Sequence, residues 1–203
     1  MSRQTAPSKA ETALLAPFPG LGIAQIHVPR TAAQFAAAVD EILALGRAGF
    51  DTESKPTFNF GEVSDGPHVV QFALHDKAFI FQLHHAGVRE PLARLLESEA
   101  VLKVGFGLQS DHGQIRAKLG VGIQPVLDLN SLFRKKGYNN SMGVRAAVGV
   151  VLGQSFHKSK KTTTSNWAVA ELSERQLLYA ANDAYAALKV LEALERQQAA
   201  QGA

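Results

Sequence analysis

The chain has 203 residues, of which 46% are hydrophobic and 19% charged, with a formal net charge of +3 and no cysteine. This length and composition fit one substantial α/β domain, and the small net charge does not by itself indicate nucleic-acid binding. Without cysteine the chain forms no disulfides or thiolate metal sites, so a metal ion would need oxygen or imidazole ligands. No apolar run reaches the roughly 18 residues of a membrane span and no secretory signal is visible, so we expect a cytoplasmic protein that does not contact a membrane.

The first part of the chain predicts a loose arm followed by the start of a sheet. Residues 1–20 carry three prolines and no sustained hydrophobic period. We therefore expect an N-terminal arm there and a single domain over residues 21–203. A short strand over residues 23–28 and a helix over residues 31–45, capped by Thr31, are predicted to follow.

The next segment, residues 49–54, predicts a strand that ends in two carboxylates, Asp51 and Glu53. Because successive side chains of a strand point to opposite faces, both carboxylates should project to the same side. Two like charges on one face repel each other, and their burial is unfavourable unless something compensates. A divalent cation compensates both charges. However, two carboxylates in this spacing also occur where a strand simply ends in solvent.

The remaining elements alternate between strands and helices. We predict a hairpin over 68–74 and 78–83, a helix over 88–99, a strand over 101–106, a helix over 111–119, a strand over 126–129, and helices over 129–135 and 142–152. Residues 154–165 are rich in lysine, threonine and serine and predict a mobile loop. Ser173 and Gln176 form a capping box that opens a final helix to about residue 198. This order predicts a mixed α/β fold in three layers.

Two of the predicted helices carry further acidic residues. Tyr179 and Asp183 are four residues apart and therefore neighbours on one face of the final helix. Burial of Asp183 among alanines would need a partner, and on this helix alone a surface carboxylate beside a core-packed tyrosine is the favoured interpretation. Asp111 lies near the start of a helix, where free amides and the helix dipole also stabilise a carboxylate.

Three segments carry a recognisable combination of these residues. They are Phe50-Asp51-Thr52-Glu53, Val104-Gly105-Phe106-Gly107-Leu108 followed by Asp111, and Tyr179-x-x-x-Asp183-Ala184-Tyr185. In this order and spacing they resemble the three motifs of the DEDD superfamily of 3′–5′ exonucleases, in its tyrosine-bearing (DEDDy) branch. The segment Ser165-Asn166-Trp167 is also similar to the group that includes ribonuclease D and the exonuclease domain of the Werner syndrome helicase. The resemblance covers residues 23–194.

The resemblance implies a ribonuclease H-like fold, with a mixed central sheet and helices on both sides. It also implies two divalent cations, Mg²⁺ or Mn²⁺, held by Asp51, Glu53, Asp111 and Asp183, with Tyr179 orienting the attacking water. The implied reaction is hydrolysis at the 3′ end of DNA or RNA by a two-metal-ion mechanism, with release of nucleoside 5′-monophosphates. Hard cations prefer carboxylate oxygens, and a pair of them stabilises both the entering and the leaving oxygen of a phosphodiester.

A wider set of residues is expected to contact the nucleic acid: Thr52, Phe106, Leu108, Trp167, Lys158, Lys160 and Lys161. The side chain of Thr52 should point into the core, which leaves its backbone for the terminal nucleotide. The alternative for Phe106 and Leu108 is an ordinary place in the core. The alternative for Trp167 is a packing contact with the last helix, and the alternative for the lysines is a solvated loop. Aromatic stacking and lysine–phosphate contacts are the usual means of holding a single strand.

Two other interpretations remain compatible with the sequence. In the first, the chain is a catalytically silent nucleic-acid-binding module of the same fold. In the second, it is a small-molecule α/β enzyme whose acidic residues are ordinary solvated carboxylates. Because all four carboxylates and the tyrosine of the motifs are present, the sequence favours the exonuclease.

Overall fold

The computed structural model describes residues 4–59, 61–138 and 142–202. The strands are β1 Ala16–Pro17, β2 Ile26–His27, β3 Arg47–Glu53, β4 Val69–Ala73, β5 Ala78–Gln82, β6 Leu102–Gly105, β7 Val126–Asp128 and β8 Gln154–Ser155. The helices are α1 Lys9–Ala13, α2 Ala32–Leu45, α3 Arg89–Glu97, α4 Gln109–Leu119, α5 Leu129–Lys135, α6 Val144–Leu152, α7 Lys160–Thr163 and α8 Glu174–Gln201. None of these helices, within the ranges described, is both long and apolar enough to cross a membrane.

Six strands form one mixed sheet in the order β2-β5-β4-β3-β6-β7. The predicted hairpin of β4 and β5 is antiparallel, and β3 pairs antiparallel with β4 and parallel with β6. β3 therefore lies inside the sheet with a neighbour on each side. Because both edges of β3 are paired, its side chains can reach a ligand at the end of the strand and not along an edge.

Helices cover both faces of this sheet and give the predicted three layers. On one face, α2, α3 and α4 pack against the sheet through residues that include Phe35, Leu92, Ile115, Phe50 and Phe72. On the other face, α5, α6 and α8 pack through residues that include Phe133, Val148, Leu191 and Ala184. The alternation along the strands places Phe50 in the first layer, so the odd-numbered residues of β3 face α8.

Two segments have a secondary structure that differs from the one predicted from the sequence. Residues 23–25 form a 3₁₀ turn instead of a strand, because the backbone N–H of Gly22 donates to Gln25 Oε1 at 2.9 Å and closes the turn. Only Ile26–His27 remain extended and pair with β5. The predicted loop over 154–165 contains β8 and the short helix α7, whose first turn is capped by the hydroxyl of Ser159.

The N-terminal arm packs on the domain from residue 4 onward, and its first three residues lie outside the described part of the chain. β1 pairs in parallel with β8. Arg145 in α6 donates to the Thr12 hydroxyl at 2.8 Å. The arm was expected to be loose, but these contacts connect it to α6 and to the strand that precedes residues 156–165.

The close contact between β3 and α8 depends on small residues. A Cβ atom added to Gly49 would lie 1.9 Å from the carbonyl oxygen of Ala184 in α8. Near the start of β3, Arg47 Nη1 contacts Glu195 Oε2 of the same helix at 2.7 Å. The helix therefore lies along the strand at a separation that only glycine at position 49 allows.

We predict that Gly49→Ala lowers the free energy of unfolding by about 2–3 kcal/mol, because the added methyl group must push α8 away from β3. The matched control is Gly113→Ala in α4, where an added Cβ meets no atom within 4 Å. That change should be neutral or stabilising by up to about 1 kcal/mol through helix propensity. Urea unfolding of both variants measures the difference, and equal stability of the two would contradict the close contact.

Candidate active site

Three carboxylates meet at the carboxyl end of β3. One oxygen from each of Asp51, Glu53 and Asp183 lies within 4.8 Å of the others. Asp51 and Glu53 face α8, as strand alternation predicts, and α8 contributes Asp183 from its third turn. Asp183 is 4% exposed and Glu53 is also buried. Three acidic groups this close can remain together only with protons or cations between them.

Asp111 approaches the same strand end from the other face of the sheet. It lies in the first turn of α4, where its Oδ1 accepts a hydrogen bond from the Thr52 hydroxyl and its Oδ2 accepts one from Ser110 Oγ at 3.4 Å. Asp111 does not belong to the group of three, but its charge helps to raise the pKa of Asp51. The Thr52 side chain, which was expected to point into the core, is part-buried and its hydroxyl holds Asp111 beside β3.

The surroundings make these carboxyl groups much weaker acids than usual. Burial raises the pKa of Asp51 well above its ordinary value, and the nearby charges of Asp111 and Asp183 raise it further. Burial, followed by the charge of Asp51, raises the pKa of Glu53 to about 10. Burial also raises the pKa of Asp183, although the neighbouring Lys158 partly offsets this effect. Glu53 therefore keeps its proton at neutral pH unless a cation takes the place of the proton.

Lys158 places its ammonium group inside this cluster. Its Nζ lies 2.6 Å from Asp183 Oδ2, and its side chain is 36% exposed. Burial, the largest single effect, lowers the pKa of Lys158, but the charge and hydrogen bond of Asp183 together with the charges of Tyr179 and Asp51 outweigh it, so the net pKa is raised. The sequence placed this lysine in a mobile loop along the phosphate backbone, whereas the structure places its ammonium against a buried carboxylate.

Tyr179 lies one helical turn before Asp183 and beside the same lysine. Its hydroxyl shares a hydrogen bond of 2.8 Å with Thr163 Oγ1, and Lys158 Nζ lies 5.3 Å from the centre of its ring. Burial and then the charge of Asp183 raise the pKa of Tyr179. The phenol is therefore neutral at ordinary pH and can both donate and accept a hydrogen bond.

The apolar residues expected to contact substrate have different positions. Trp167 is 1% exposed and its Nε1 donates to the carbonyl of Thr163 at 3.3 Å, so it packs in the core and does not stack on a base. Leu108 is also buried, in the layer of α2, α3 and α4, which corrects its proposed wedge role. Phe106 is only partly buried and stacks on Phe133 with ring centres 6.3 Å apart. Of the three, only Phe106 borders open space next to the carboxylates.

That space is a cavity of about 180 Å³ whose wall includes Asp51, Asp183, Lys158, Phe106 and Asn130. The Oδ1 atom of Asn130 is buried and has no hydrogen-bond partner among the described residues. Sequence reasoning did not identify Asn130, since a single asparagine at the start of a helix carries no signal of its own. Asn130 lines the same cavity as Asp51 because of the way that α5 packs in the fold.

A larger cleft of about 860 Å³ opens on the other side of residues 155–165. The arm, this segment and α8 line it, and it reaches Tyr179 and Asp183. Lys161 lies in its wall, and both Lys160 and Lys161 are exposed on α7. Lys161 thus shares a cleft with Asp183, and the contact of both lysines with nucleic acid remains a prediction.

Comparison with known proteins decides the family. A sequence model described as 3′–5′ exonuclease matches residues 26–199, which is most of the chain. The chain belongs to the 3′–5′ exonuclease family. The expected DEDD-type assignment is thereby confirmed.

The chain is similar to two curated proteins over 72% of its length. It is 29% identical to an Arabidopsis thaliana 3′–5′ exonuclease over 149 residues, and 29% identical to the Mus musculus bifunctional 3′–5′ exonuclease/ATP-dependent helicase WRN over 148 residues. The matched regions cover 52% and 11% of those proteins. The chain thus spans about half of the first relative and a small part of the second.

Solved structures confirm the ribonuclease H-like fold of this family member. The EXO domain of Aedes aegypti Nibbler superposes with a TM-score of 0.73 at 25% identity, covering 87% of this chain and 90% of that one. Escherichia coli RNase D superposes with a TM-score of 0.74 at 21% identity, covering 87% of this chain and 46% of that one. The mixed sheet and its two helical layers are therefore the architecture of this group.

We predict that the metal-free protein loses stability as the pH rises. The pKa of Glu53 is about 10 in the folded state and 4.5 in its ordinary state, so the folded protein retains a proton that the unfolded chain has released. This contribution is complete below about pH 4.5 and is lost as the pH approaches about 10. Urea unfolding in EDTA between about pH 6 and about pH 9 should show a fall of up to about 4 kcal/mol.

Glu53→Gln should make that fall smaller, because the amide has no proton to release. Glu97→Gln, which changes an exposed carboxylate on α3, serves as the control and should keep the slope of the unmodified protein. Identical slopes for all three proteins would contradict the assignment of the raised pKa to Glu53.

Proposed function

We propose that this chain is a metal-dependent 3′–5′ exonuclease of the tyrosine-bearing DEDD branch. It hydrolyses terminal phosphodiester bonds of DNA or RNA and releases nucleoside 5′-monophosphates. The observation that carries the proposal is the meeting of Asp51, Glu53 and Asp183 at the end of β3 in a chain of the 3′–5′ exonuclease family. Asp111 and Tyr179, which lie beside this group, complete the motif residues.

The donor set fits hard divalent cations such as Mg²⁺ or Mn²⁺. Every donor is a carboxylate oxygen, the ligand that these ions prefer. Asp183 Oδ1 is buried and accepts no hydrogen bond within the described ranges, so it has a lone pair available for a ligand. We assign two such cations to Asp51, Glu53, Asp111 and Asp183. When bound, they supply charge stabilisation at the phosphate and a water of lowered pKa.

In this proposal Tyr179 positions the attacking water. Its raised pKa keeps the phenol protonated, so the phenolate that would act as a base is scarcely populated, but a neutral hydroxyl donates one hydrogen bond and accepts another. Its partner in the structure is Thr163, whose hydroxyl a substrate or water can replace. Thr52 fixes Asp111 at the end of β3 and so keeps the fourth carboxylate near the other three.

The surroundings suit a single nucleic-acid strand. The cavity beside Phe106 adjoins the carboxylates on one side, and exposed Lys160 and Lys161 lie beside the larger cleft on the other. We assign the terminal nucleotide to the Phe106 side, where an aromatic edge and the Asn130 amide are available. The lysines would contact phosphates of the preceding nucleotides, which makes binding dependent on salt.

We predict that Asp51→Asn and Asp183→Asn each reduce nuclease activity by at least about 10³-fold, because each removes a charged metal ligand. Release of labelled mononucleotide from the 3′ end of matched DNA and RNA oligonucleotides, with Mg²⁺, Mn²⁺ or EDTA, measures the effect. Asp76→Asn, at an exposed turn between β4 and β5, is the control and should retain full activity.

Two results would reject this function. Activity that survives chelation or either substitution rules out the assigned centre. Binding of both nucleic acids without turnover, across all metals tested, identifies a catalytically silent module instead.

We also predict that Tyr179→Phe lowers kcat about 10- to 10³-fold and changes KM and Mn²⁺ affinity by less than about threefold, because the hydroxyl acts on water and not on metal or substrate binding. Tyr185→Phe is the matched control on the same helix, since the Tyr185 hydroxyl donates to the carbonyl of His75 at 3.2 Å, away from the carboxylates. A loss confined to KM for Tyr179→Phe would contradict the water-positioning role.

A further inference from the structure

The contact between Lys158 and Asp183 is unusual for an ion pair, because its two partners have very different surroundings. The Asp183 side chain is 2% exposed, whereas that of Lys158 is 36% exposed. The two atoms Nζ and Oδ2 are only 2.6 Å apart. A buried carboxylate thus depends on a cation that comes from the edge of the site.

Within residues 4–59, 61–138 and 142–202, Lys158 is also the one basic residue that pairs with the cluster. Among the ion pairs of the described residues, no other lysine, arginine or histidine contacts Asp51, Glu53, Asp111 or Asp183. The ammonium also borders the cavity next to Asp51 and lies over the Tyr179 ring. It therefore supplies positive charge beside Asp183 within the carboxylate cluster.

The backbone around Lys158 allows this side chain to move away from Asp183. Residues 156–159 have no regular structure and connect β8 to α7. A lysine ammonium is a compact point charge on a flexible stem. Because part of the side chain is already exposed, it can turn to solvent or to a phosphate without disturbing the packed layers.

We propose that Lys158 is an internal counter-ion that competes with a divalent cation for Asp183 and so sets the metal affinity of the site. In the metal-free protein its ammonium neutralises Asp183 and holds the carboxylate in place. When a divalent cation binds, the ammonium withdraws from Asp183. Lys158 is then a positioning residue for the metal centre. This inference rests on the proposed function, since it requires that the carboxylates bind metal.

Calorimetric titration of Mn²⁺ without nucleic acid tests the competition directly. Lys158→Met should bind Mn²⁺ at least about tenfold more tightly than the unmodified chain, because the metal no longer displaces an ammonium. Lys161→Met, an exposed lysine from the same segment, makes the same change in net charge and should alter the affinity by less than about twofold. Lys158→Arg keeps the positive charge and should bind no more tightly than the unmodified chain.

Thermal unfolding provides a readout that does not depend on activity. In EDTA, Lys158→Met should have a lower Tm than Lys161→Met, because the carboxylates have lost their internal cation. Saturating Mn²⁺ should raise its Tm by more than it raises the Tm of the unmodified chain. Lys158→Gln, which keeps a polar side chain of similar reach, gives the same comparison if the methionine variant does not fold.

Equal Mn²⁺ affinities for Lys158→Met and the unmodified chain, with nuclease activity intact, overturn this inference and leave the proposed function standing. Weaker Mn²⁺ binding by Lys158→Met also overturns it, because the lysine would then assist the metal. If neither protein binds Mn²⁺, both the inference and the proposed function fail.

Discussion

Repulsion among buried carboxylates at the end of β3 is the constraint on which the site depends. β3 lies inside the sheet with a strand on each side, so Asp51 and Glu53 have no freedom to separate. α8 lies against the strand at the distance that Gly49 permits, and this fixes Asp183 opposite them. A rigid frame therefore keeps like charges together, and protons, an ammonium or metal cations must compensate them.

Much of this frame follows from local rules. Strand alternation predicts that Asp51 and Glu53 share a face, and helical spacing predicts that Tyr179 and Asp183 are neighbours. The capping box at Ser173 correctly locates the start of α8. These features are local because each depends on the geometry of one element, and one element can be read from its own sequence.

The details that local rules miss all depend on contacts between distant segments. The hydroxyl of Thr52 bonds to Asp111, 59 residues further along the chain. Lys158 turns inward because a buried carboxylate of α8 attracts it, although its neighbours in sequence are typical of a solvated loop. Trp167 and Leu108 were expected near substrate, but the packing of the layers buries them. Tertiary structure decides each of these cases.

The position of α8 in the chain also has a consequence for biosynthesis. This helix follows every other segment that contributes to the site, and it supplies both Tyr179 and Asp183. During translation, the earlier acidic residues emerge from the ribosome while their partners are still being made. The carboxylate cluster is therefore incomplete until the last helix has been made and has docked on β3.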